Sequence, residues 1–148
     1  MEGLISTILS LFGLGQRSSQ ASSSKRNEAS KLNAEFETLL AKAAEFLRSE
    51  HVHLRHRIDA IPEDTAALHE QVDTIIGMLL SEIDVGLATA ANSRKTILTG
   101  SSFAPLSKWD EVISLLHQQK GAAELQFERS KMCIGQCHRI LNNAACNN

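Results

Sequence analysis

Apolar residues recur at helical spacing through three long runs of this chain, and that periodicity most narrows what it can fold into. From Leu32 through Phe36, Leu39, Ala43, Leu47, His51, Leu54, Ile58 and Ile61 the interval stays near the 3.6 residues of one α-helical turn. A strand would alternate every second residue instead. The second run carries Leu68, Val72, Ile75, Ile76, Leu79, Leu80, Ile83, Leu87, Ala90 and Ile97, a face too wide for a single neighbour. Leu106, Trp109, Ile113, Leu116, Ala123, Phe127, Ile134, Cys137 and Leu141 form the most regular heptad, in which Lys120 and Ser130 are polar exceptions expected to weaken the packing and set its register.

Local signals place the ends of these runs. Pro62 suits a first helical turn and Glu63 and Asp64 complement its positive end, so a helix is expected from residue 62. Thr99-Gly100-Ser101-Ser102 closes that helix, and Arg94 and Lys95 complement its last turn. Gly121 interrupts the third run without changing its apolar phase, so the helix is expected to continue through it. The resulting expectation is an all-α fold with helices over about 27–58, 62–98 and 105–144. Short connections join them into an elongated antiparallel three-helix bundle or coiled coil spanning 27–148.

Two segments precede it. Residues 1–15 place Leu4, Ile5, Ile8, Leu9, Leu11 and Phe12 on one broad face, as a separate short amphipathic helix would, or as a fourth helix of the bundle. The stretch falls short of the ~20 apolar residues that cross a bilayer. Residues 16–26 are Ser-rich and are expected to form a linker whose Arg17, Lys25 and Arg26 suit anionic headgroups. An apolar face joined by such a linker needs a cover, and a membrane interface supplies one.

Composition removes several function classes. A net charge of -2 gives no global attraction to nucleic acid. The chain has three cysteines and no Asn-x-Ser/Thr acceptor, which favours a reducing, cytoplasmic setting at the membrane periphery. It has no phosphate-cradling glycine loop, HExxH helix or nucleophile elbow, so no catalytic residue and no cofactor is expected. Cys133 and Cys137 share a helical face, but His138 points about 100° from Cys137. Cys137 therefore reads as a core residue with Cys133 at its flank, and no metal site is expected.

Two clusters remain. Four of the six histidines lie on either side of the first hairpin, and antiparallel folding about Ile61 would bring His51 near His69. Protonation would then make the pair repel and open the tip, a pH switch. Arg48 and Arg55 stack on one flank of the first helix, where contact with an RNA duplex would fall, although Glu35, Glu37, Glu45 and Glu50 make a solvated face the favoured reading. The function expected from these features is a non-catalytic helical interaction module, peripherally membrane-associated and forming homo-oligomers or docking a helical partner. The alternatives are a membrane-permeabilising helical effector and a duplex-RNA-binding accessory protein of viral type.

Overall fold

A computed structural model of the chain describes residues 20–62, 64–99 and 105–146. Three helices account for nearly all of them: α1 (Gln20–Asp59), α2 (Ala66–Thr99) and α3 (Leu106–Cys146). They pack against one another, and no strand occurs among the described residues. Leu4, Ile5, Ile8, Leu9, Leu11, Phe12 and Arg17 lie outside the described residues.

The helix ends differ from the sequence expectation in two places. α1 begins at Gln20 rather than near Asn27, so residues 20–26 of the expected linker form its opening turns. Small side chains let this part of the helix pack closely: Ser22 and Ala29 are buried, and Lys25 reaches Asp110 of α3 at 2.8 Å. α2 begins at Ala66 rather than at Pro62. Here the Asp64 carboxylate accepts the Ala66 N–H at 3.1 Å, and the Thr65 carbonyl accepts the first helical bond, from the His69 N–H. Pro62 sits in the preceding turn, where its ring disfavours helical backbone at Ile61. At the start of α3, the Pro105 carbonyl accepts from the Lys108 and Trp109 N–H groups.

The chain divides into two compact units, each built from a piece of all three helices. The first holds the described residues to Leu40 together with Gly86–Glu124. Its core gathers Ala29, Leu32, Ile97, Trp109, Val112, Ile113 and Leu116, with Leu115 partly buried against them. Asn33 is buried here too and donates from Nδ2 to the Ala90 carbonyl at 2.9 Å, a polar contact that resists sliding of α1 along α2. Leu40 against Gly86 and Asn33 against Ala90 make α1 and α2 antiparallel. Lys25–Asp110 and Lys120–Glu35 make α1 and α3 run the same way.

The second unit holds Ala41–Val85 and the described residues from Leu125 onward. Leu47, Leu54, Ile58, Ile76, Ile83 and Ile134 are buried in it, each contributing about 1.5–3 kcal/mol over its exposed state. Phe46 meets Phe127 edge to face, with ring centres 5.7 Å apart. The polar exceptions expected in α3 are both satisfied. Ser130 is fully buried with its hydroxyl turned to its own helix at the Gln126 carbonyl, and Lys120, in the first unit, reaches Glu35 at 2.7 Å. Ile75 and Leu106, expected on the apolar stripes, are exposed.

Gly86 marks the closest helix approach seen at a glycine: a Cβ there would stand 2.9 Å from the Leu40 side chain, which is itself buried. Gly77 and Gly121 have nothing within 4 Å. Gly77→Ala and Gly121→Ala should each stabilise the fold by about 0.5–1 kcal/mol through helix propensity. Gly86→Ala should instead destabilise it by about 1–2 kcal/mol because Leu40 has little room to yield. Urea unfolding of the three variants checks the contrast.

Candidate functional site

The densest polar arrangement in the second unit joins the three helices through histidine, arginine and carboxylate. His51 and Arg55 are one turn apart on α1, so both reach the same point on α2. Asp73 occupies it. His51 Nε2 lies 2.6 Å from Asp73 Oδ1, and Arg55 Nη1 donates to both carboxylate oxygens at 3.0 and 2.8 Å. These contacts hold the Asp73 carboxyl below its usual range, the His51 hydrogen bond contributing most and the Arg55 charge and hydrogen bond adding to it against desolvation.

On the α3 side, Arg57 donates to His138 Nδ1 at 2.6 Å and also reaches the Asn142 amide oxygen. His138 Nε2 lies 2.8 Å from Glu50 Oε2. Because Nδ1 accepts from a guanidinium, the imidazole proton belongs on Nε2, which donates to Glu50. At the turn, His69 Nε2 faces Asp59 at 3.0 Å, while its Nδ1 is buried without a hydrogen-bond partner.

His51 and His69 each face a carboxylate, Asp73 and Asp59, rather than each other. Sequence spacing placed His51 and His69 at the hairpin but could not show Asp73 and Asp59 between the helices.

The other sequence-derived positions are dispersed. Both arginines are exposed on α1, and Arg55 is engaged by Asp73. Lys25 pairs with Asp110 and Glu28, contacts that hold its amine above its usual range, while Arg26 is half-buried. Cys133 and Cys137 are free thiols on α3. Burial and the adjacent Cys133 push the Cys137 thiol up, which keeps it protonated and a weak nucleophile. Among the described residues no three His, Cys, Asp or Glu side chains converge as a metal-binding group.

What the sequence reading missed is the exposed apolar surface of the second unit. Met78, Leu125, Met132 and Ile140 are each 60% exposed or more. Met78 and Leu125 fall off the ideal stripe, and that is the only sequence signal they give. α2 is also long and apolar enough to cross a membrane by length and composition. Compared with family models, curated proteins and solved structures, the chain matches none.

Because Asp73 has a lowered carboxyl pKa in the fold, its pairing stabilises above the unfolded carboxylate range and is lost as pH falls through the folded value. The stability advantage of wild type over Asp73→Asn should therefore not shrink between neutrality and about pH 4, and should shrink below that. Chemical denaturation across pH measures it. A difference that vanishes already between about pH 7 and 5 would show that the carboxylate is not held this way.

Proposed function

We propose that this chain is a non-catalytic helical interaction module that attaches peripherally to a membrane through residues 1–15 and self-associates through its helices. The observation that carries this reading is the exposure of Met78, Leu125, Met132 and Ile140 on the second unit. Large apolar side chains left in water on one unit are a surface for something to cover. Residues 1–15 add a second apolar face, with Leu4, Ile5, Ile8, Leu9, Leu11 and Phe12 at helical spacing. Its setting would be the cytoplasmic side of a membrane.

A second reading, a membrane-permeabilising effector, draws on the length and apolarity of α2. α2 contributes Val72, Ile76, Leu79 and Ile83 to the core, so inserting it would require the second unit to open. The duplex-RNA reading loses support from the engagement of Arg55 by Asp73.

Vesicle co-sedimentation with dye-loaded anionic liposomes separates these readings. The full chain should bind and leave the vesicles sealed, and Leu9→Glu with Phe12→Glu should reduce binding at least about tenfold. Leakage would favour the effector. Undiminished binding by the double variant would remove the N-terminal segment as the attachment.

A further inference from the structure

Apart from Val52 on α1, the large apolar side chains exposed on the second unit lie on α2 and α3, along one furrow. Gln126 of α3 donates to Glu82 of α2 at 3.1 Å, which sets those sides of the two helices together. Counted in heptad steps, Ile75 lies in line with Glu82 and Met78 lies beside that row. Ile140 lies in line with Gln126, and Leu125 and Met132 flank it. All five are exposed: Ile75 by 38%, Met78 by 64%, Leu125 by 73%, Met132 by 67% and Ile140 by 60%. α1 meets α2 through Asp73 and α3 through Phe127 and His138, positions outside these rows, so it does not cover the furrow. In the first unit the same sides of the helices carry Asn92 and Thr96 on α2 and Lys108 and Gln118 on α3. The apolar walls are thus confined to the second unit.

The charges on the two walls are opposite. Besides Asp73, which His51 and Arg55 of α1 engage, α2 from Ala66 to Val85 contains Glu70, Glu82 and Asp84 and no Lys or Arg. α3 from Leu125 onward contains Arg129 and Arg139 besides Lys131, which pairs with Glu128 and lies over Phe127. Glu82 lines the furrow on the α2 side, and exposed Arg129, three residues beyond Gln126, lines it on the α3 side.

We propose that a second copy of this chain covers the furrow, the two α2–α3 faces meeting about a two-fold axis parallel to the helices. Each α2 then lies across the α3 of the other copy, and the four helices enclose the exposed side chains as the core of a four-helix layer. An axis along the helices keeps residues at one level. Glu82 therefore comes opposite Arg129 of the second copy, and Met78 comes opposite Met132. A two-fold axis across the helices would instead set α2 on α2 and bring the acidic walls together, which like-charge repulsion opposes. The occupant is a helix pair rather than a lipid surface because a furrow between two helices receives side-chain ridges, and walls of opposite charge complement the reversed walls of a second copy while offering an anionic surface no uniform attraction.

This inference rests on the self-association part of the function proposed above and is independent of the membrane part. Sedimentation equilibrium of the full chain, with circular dichroism to follow helicity, tests it. Wild type should be a reversible dimer. Met78→Glu and Leu125→Glu, at exposed positions, should keep the helicity and weaken the dimer at least about tenfold. Glu82→Arg and Arg129→Glu should each weaken it several-fold, and the two together should restore it by re-forming the pair in reverse. A chain monomeric at every concentration, or a dimer indifferent to Met78→Glu and Leu125→Glu, would overturn the proposal. So would a double exchange no tighter than either single one. Loss of vesicle binding by Met78→Glu at unchanged mass would show lipid covering the furrow and would also overturn it. Failure of vesicle binding in wild type counts only against the membrane attachment.

Discussion

None of the three helices can shield its own apolar stripe from water, and the mutual burial of those stripes is the interaction on which the other features rest. Leu47, Leu54 and Ile58 on α1 are fully buried, as are Ile76 and Ile83 on α2 in the same unit. In the first unit Trp109 and Leu116 on α3 play the corresponding part beside Ile97. With few aromatics available, close approach of backbones replaces bulk. Ala29, Ala43, Ala44 and Ala90 are buried, and Gly86 admits Leu40 where any side chain would crowd it.

Once the stripes are buried, charged residues along their edges are brought within reach of one another across the helices. Asp73 sits where His51 and Arg55 both reach it, and Glu50 takes the proton-bearing nitrogen of His138. Glu37 and Arg94 pair across α1 and α2 in the first unit by the same logic. Pairs exposed to this degree contribute little stability individually. They disfavour other registers, in which the same charges would face apolar side chains. Asn33 does so more stringently because its bond to Ala90 is buried.

The fold was legible in the sequence wherever burial follows periodicity. Leu32, Phe36, Leu47, Leu54 and Ile58 lie where their spacing placed them, as do Trp109, Ile113 and Leu116. The ends were less legible because they depend on single contacts. A Ser-rich stretch reads as a linker until Lys25 finds Asp110, and Pro62 reads as a helix start until Asp64 supplies the Ala66 N–H with its acceptor. The histidine arrangement was half legible: spacing put His51 and His69 at the hairpin, but their carboxylate partners depend on helix rotation, which a linear pattern does not encode. The furrow was hidden for a related reason. A wide apolar face on α2 reads as contact with two neighbours, and only the packed helices reveal that Ile75 and Met78 remain in water.

An exposed apolar furrow is what distinguishes this bundle from one folded for its own sake, and it is flanked by a natural reporter. The chain has three methionines: Met1 in the N-terminal segment, Met78 on α2 and Met132 on α3. Methyl-labelled methionine spectra of the full chain, recorded over a concentration series and then with anionic vesicles, read both surfaces in one sample. If a second copy covers the furrow, the Met78 and Met132 methyls shift together as concentration rises, and vesicles perturb Met1 first. Met78 and Met132 signals that ignore concentration but broaden on vesicles would contradict it, because lipid and not a second copy would then be the cover.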